Sequence, residues 1–156
     1  VFPNPPSSAD KTLPVTWYDG GARPPAEVTT LLEGKRLPGQ GSVVIGTKGT
    51  MLIPHVGHPQ LFPKKDFAEF KIEKVPAVNH WHSFIDAARG EGPAASANFA
   101  YSGPLSETVL LGGVATRFPG ETLKWEAEKL AFAGNDKAAG LIRKKYRKGW
   151  EVEGLG

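Results

Sequence analysis

Residues 42–54, "SVVIGTKGTMLIP", hold two short apolar runs on either side of Gly46-Thr47-Lys48-Gly49. Extended apolar runs separated by a short break containing glycine are the signature of a β-hairpin, so this stretch predicts antiparallel pairing. Upstream, "LPVTWYDGG" predicts a strand over residues 15–18, rich in β-branched and aromatic side chains and closed by Asp19-Gly20-Gly21. Residues 22–41 read as loop, with one short helical turn around residues 27–32. Downstream, Phe67, Phe70 and Ile72 suggest a further short strand. In "ETLKWEAEKLAFAG", residues 121–134, the apolar positions Leu123, Trp125 and Ala127 shift phase to Leu130 and Phe132, as in a strand with a bend or bulge.

Three helices are expected. In "NHWHSFIDAARG", residues 79–90, Asn79 suits an N-cap and Gly90 a C-terminal glycine. Trp81, Phe84, Ile85 and Ala88 fall on one helical face. The second helix lies within "SGPLSETVLLGGVATRFPG", with Pro104 near its start and Pro119-Gly120 past its end. Its apolar residues run almost all the way round, which predicts the most buried helix, and Gly112-Gly113 suggests a closely approaching neighbour. The third begins near Asn135-Asp136 and runs through Leu141, Ile142 and Tyr146 towards a basic patch. Strands first, then strands mixed with helices, predict an α+β fold: a mostly antiparallel open β-sheet with about three helices packed on one face.

The chain has 156 residues, 40% of them hydrophobic and 22% charged. That is enough for one domain with a sizeable core, and no apolar run approaches the ~20 residues of a bilayer-spanning helix. A soluble chain is expected. Residues 1–14, with Pro3, Pro5, Pro6 and Pro14, read as an extended arm or linker, and residues 15–156 as the domain proper. The N-terminus lacks the basic and apolar regions of a signal peptide, and the absence of cysteine suits a cytoplasmic or a periplasmic location equally. The net charge of +3 is local in origin. Arg143, Lys144, Lys145, Arg147 and Lys148 stand within six residues, leaving 14 basic against 16 acidic residues elsewhere. Cations in a last helical turn are favoured by the helix dipole, and that is the simplest reading of the patch, with phosphate binding as the alternative. No basic stripe with interleaved aromatics continues elsewhere, so no nucleic-acid partner is expected.

His80 and His82 are separated by about 200° around a helix and cannot chelate one metal together. His82 shares a face with Asp86 and Arg89, where an i, i+4 contact would give surface support. His80, in the first turn, is a candidate for contact with a polar ligand. His55 and His58 have a spacing that suits two ligands on a helix, but Pro54, Gly57 and Pro59 make the stretch a loop without a third ligand, and no metal is expected. "GQGSVV" lacks the third glycine of a dinucleotide fingerprint and leads into a strand. There is no phosphate-binding lysine loop, G-x-S-x-G elbow or cysteine nucleophile.

Six stretches, "VTWYDGGARPP", "VVIGTKGTMLI", "HWHSFIDAARG", "FAYSGPLSETVLLGGVATRF", "LKWEAEKLAF" and "LIRKKYRKGW", occur in an order that resembles the C-terminal part of bacterial glucose-fructose oxidoreductase/inositol dehydrogenase-like (Gfo/Idh/MocA) proteins. The resemblance covers roughly residues 13–150. It implies the substrate-binding and oligomerisation domain of an oxidoreductase acting on a sugar or polyol, with NAD or NADP held by an N-terminal Rossmann domain absent from this chain. It also implies a homo-oligomer built through the open sheet face. The family's catalytic lysine stands in an E-K-P motif, whereas residues 73–76 read "EKVP"; the inserted Val75 keeps that role from Lys74, and no catalytic residue is assigned. His80 and Asp86 match the family pattern H-x-x-x-[FW]-I-D, which gives His80 a substrate-facing role. Trp17, Tyr18 and Asp19 are the other candidates, since a ring that stacks on sugar C–H groups beside a hydroxyl-accepting carboxylate suits a carbohydrate. The other reading puts Trp17 in the core and has Asp19 cap a turn. Two further functions stay open: a non-catalytic carbohydrate-binding module using Trp17, Trp81, Trp125 or Trp150 as a stacking platform, and a pure assembly module.

Overall fold

The computed structural model describes residues 2–3 and 6–154; Pro5 of the proline-rich arm lies outside the described residues. The fold is α+β, with antiparallel pairing in every ladder. The chain divides into two compact units, Val1–Val75 and Pro76–Gly156.

In the first unit, β1 (Phe2–Pro3) pairs with β2 (Thr12–Leu13), so the arm folds back on itself for two residues. Helix α1 (Ala26–Leu31) follows, at the position of the expected helical turn. The hairpin lies where the glycine-bounded break places it: β3 (Gly41–Ile45) pairs with β4 (Thr50–Pro54) in the register Val44↔Met51, and the Gly46 N–H donates to the Gly49 carbonyl at 2.9 Å. The third strand, β5 (Gln60–Phe62), adds to β4 with Thr50 opposite Phe62. Leu52, Phe62 and Leu32 form the core, with Leu37 and Val43 packed against it. Each such side chain contributes about 1.5–3 kcal/mol by leaving water.

Glycine is required at position 49. A Cβ there would stand 2.5 Å from the Phe62 carbonyl oxygen and 2.6 Å from the Phe67 ring, so the β3–β4 turn lies directly on these groups. The end of α1 is tied to the same region: the Glu33 carboxylate accepts from the Lys64 N–H at 3.2 Å, and Lys35 donates to Gln60.

Two expected strands are not formed. Residues 14–19 carry no ladder, and Val15 and Trp17 are exposed, because among the described residues no neighbouring strand supplies the hydrogen bonds that would hold them as a strand. Phe67 closes a short 3₁₀ helix, Lys64–Phe67, and Phe70 and Ile72 are exposed beyond it. The strand of this region is instead β5, before Pro63.

The second unit opens with α2 (His80–Ala88), and both of its ends are set by local chemistry. The Asn79 side chain accepts from the Trp81 and His82 N–H groups at 3.0 and 3.1 Å. At the other end Gly90 takes φ +74°, its N–H reaches the Ala87 carbonyl, and the Glu91 N–H reaches that of Asp86 at 2.8 Å. These are the paired bonds of a Schellman cap.

Helix α3 (Phe99–Ala115) starts five residues before Pro104, because Asn98 caps it by accepting from the Tyr101 N–H at 3.2 Å. Pro104 therefore lies inside the helix, past the first turn, where its missing N–H removes one intrahelical bond. Contrary to the expectation of the most buried helix, α3 contains no buried residue, and Phe99 is 94% exposed. A Cβ at Gly112 or Gly113 would meet nothing within 4 Å, so the close neighbour expected there is absent among the described residues.

The expected bulge is a chain reversal. β6 (Lys124–Glu126) and β7 (Ala131–Ala133) form an antiparallel ribbon joined by a 3₁₀ turn, Ala127–Lys129, and Leu130 in the left-handed region at φ +46°. The phase shift of the apolar pattern thus marks the return strand. Trp125 and Phe132 stand opposite each other, with ring centroids 5.0 Å apart and edge-to-face. The Trp125 Nε1–H donates to Glu107 of α3 at 2.7 Å. The last helix, α4 (Asp136–Ala139), packs on β7 and is shorter than expected: it ends at Gly140 and does not reach the basic patch.

Candidate functional site

The candidate residues lie on two surfaces, one in each unit. Trp17, Tyr18 and Asp19 belong to the first. Trp17 is 75% exposed and Tyr18 41%, so the alternative that buries Trp17 in the core does not hold. Asp19 does close a turn: its Oδ1 accepts from the Gly20 N–H at 2.7 Å, and its carbonyl accepts from the Ala22 N–H at 3.0 Å. Gly20 and Gly21 take φ +60° and +90°, a conformation that disfavours a side chain, so Asp-Gly-Gly determines the bend. The turn uses one carboxylate oxygen on one backbone donor. Asp19 therefore keeps acceptor capacity beside two exposed aromatic rings.

His80 is the first residue of α2, in the second unit, and is exposed together with Trp81. The neighbouring Asn79 caps the helix through the Trp81 and His82 N–H groups, not through His80. Among the described residues His82 and Asp86 form no ion pair; Arg89 instead meets Glu91 at 2.8 Å. His55 and His58 sit in the bend after β4. Among the described residues no group of three or more histidine or acidic side chains could hold a metal ion.

Neither of two surface cavities is lined by these four candidates. A hollow of about 190 Å³ in the first unit is bounded by Pro59, Leu61, Lys64, Phe67, Phe70 and Ile72. A larger one, of about 380 Å³, lies in the second unit among Arg143, Lys144, Lys145, Tyr146 and Glu151. The sequence suggests a helix end for that segment, yet residues 143–148 are not helical. Lys144 stands over the Tyr146 ring at 5.8 Å, and Arg147 over the Trp150 ring at 4.8 Å. The signal in the sequence that points to this hollow is Tyr146 set among five cations, with Trp150 just after them.

Compared with known proteins, the chain matches no family model, no curated protein and no solved structure. Among the described residues no helix is long and apolar enough to cross a membrane.

Proposed function

We propose that this chain is the substrate-binding and oligomerisation domain of a nicotinamide-dependent oxidoreductase of the Gfo/Idh/MocA type, acting on a sugar or polyol. The observation that carries the carbohydrate reading is the exposed Trp17–Tyr18 pair beside Asp19, a stacking surface next to a carboxylate acceptor. The chain's own residues do not fit NAD or NADP, since among the described residues no strand leads into a three-glycine loop at a helix N-terminus. The cofactor and the base that takes the hydroxyl proton therefore belong to a preceding Rossmann domain. This chain contributes recognition and orientation of the substrate.

The need for a partner is supported by area. Two separately folded units of half this mass would each expose about 4,600 Å², some 9,200 Å² together. The chain exposes 13721 Å². The surplus of roughly 4,500 Å² per chain is more than the about 1,000–2,500 Å² that each partner contributes to most obligate interfaces. Val44 and Ile45 on β3, at the edge of the three-stranded sheet, are part of it, in keeping with homo-oligomers that cover the open sheet.

The test is the reading frame upstream of Val1 together with the intact mass of the parent protein. A preceding domain of about 100–200 residues with a glycine fingerprint is expected. The full-length protein should then reduce NAD or NADP with a sugar or polyol. A natural start near Val1 would sink the oxidoreductase reading. A second reading, a non-catalytic carbohydrate-binding module, is favoured by the exposure of Trp17, Trp81 and Trp150, while Trp125 is held by Glu107 and Phe132. Saturable tryptophan fluorescence changes with oligosaccharides on a parent protein without a Rossmann domain would select it.

A further inference from the structure

We propose that the segment from Arg143 to Glu151 is a binding site for a phosphorylated small molecule, built from other residues than the carbohydrate surface at Trp17 and independent of the oxidoreductase reading. The charge of the segment lacks its ordinary explanation. Cations gather at helix C-termini because the last carbonyls and the dipole favour them. Here α4 ends at Gly140, and residues 143–148 have no helix to terminate.

Nor does any ion pair among the described residues neutralise the charge. Among the described residues the ion pairs are Arg89–Glu91 and Lys129–Glu126, and none involves Arg143, Lys144, Lys145, Arg147 or Lys148. Glu151, the one acid that lines the cavity, accepts from the Gly149 backbone N–H at 2.7 Å. Five like charges crowded into six residues repel one another, and an anion held between them removes that repulsion.

Shape favours a small ligand. The hollow of about 380 Å³ is open to solvent, with room for a small anion among Arg143, Lys144 and Lys145, and the half-buried Tyr146 supplies an apolar ring in its wall. Arg143 and Lys145 are free of the aromatic contacts that engage Arg147 and Lys144, which leaves them to hold phosphate oxygens by charge-assisted hydrogen bonds. Arg147 lies over the Trp150 ring, and the Trp150 backbone N–H donates to the Arg147 carbonyl at 2.9 Å.

The probe is pyrophosphate, titrated calorimetrically into the full chain at physiological ionic strength. One saturable site per chain is expected, weakened about tenfold or more in R143Q/K145Q, since two charge-assisted bonds are lost. Both side chains are exposed, so the variant should keep its circular dichroism. The K71Q/K74Q variant removes the same charge elsewhere and should bind as the parent does. Equal weakening in both variants would reduce the effect to net charge and overturn the site. So would the absence of saturable binding at millimolar pyrophosphate. Tight binding of a short single-stranded RNA with no binding of pyrophosphate would also overturn it, in favour of a polyanion surface.

Discussion

The sheet β3–β5 and the helix α3 are both strongly apolar, and they meet different fates. In the sheet, Leu52 and Phe62 are 2% and 1% exposed, and Leu32 at the end of α1 closes over them. In the helix, Leu110 remains 70% exposed, and the described neighbour that engages α3 by a side-chain hydrogen bond is Trp125, through Glu107. A sheet directs alternate side chains to one face, so one covering element can bury that whole set. A helix that is apolar all round needs cover on several sides, which a two-stranded ribbon does not provide. Apolar content alone therefore does not make a core. The first unit holds itself together around three residues, while the second presents an apolar helix that only a further surface can cover.

Phe62→Ala should have the largest effect, removing about 3–5 kcal/mol from the stability of the first unit. Urea unfolding checks this, and a loss below about 1 kcal/mol would break the contrast between the two regions. Gly49→Ala comes next. The new methyl meets the Phe62 carbonyl, which is backbone and cannot swing aside, so about 1–3 kcal/mol should be lost by overpacking. Asn79→Ala should cost about 1 kcal/mol by freeing two N–H groups at the start of α2, with a fall in helical circular dichroism and no change in the sheet. The smallest effect is expected for Leu110→Ser in α3, within about 0.5 kcal/mol in dilute solution. The same variant should weaken self-association in sedimentation at micromolar concentrations if α3 is part of the covered surface. A large loss of stability in the dilute chain would show that α3 is already buried, and the contrast would fall.

Where a signal is local, the sequence was legible. The Gly46–Gly49 break produced the hairpin, and Asn79 with Gly90 bounded α2. Asp19-Gly20-Gly21 made the turn beside Trp17. Errors arose where the reading depended on a distant partner. The β-branched and aromatic residues 15–18 are strand-like, but among the described residues no strand lies alongside to pair with them. Leu123 to Phe132 was read as one bent strand, because a phase shift looks the same whether the chain bulges or reverses. The basic run could close a helix or line a cavity, and the choice depended on Gly140 ending α4 three residues too early.

The sequence by itself determined the α+β class, the antiparallel hairpin, the helix caps and the glycine turns. Each of these follows from φ preferences and hydrogen bonds that span four or five residues. Only the tertiary structure decided which apolar residues are buried, that β5 is the third strand of the sheet, and that Trp17 and the cations of residues 143–148 are exposed. Those outcomes depend on which surfaces meet across tens of residues, and an apolar side chain carries no record of what will cover it.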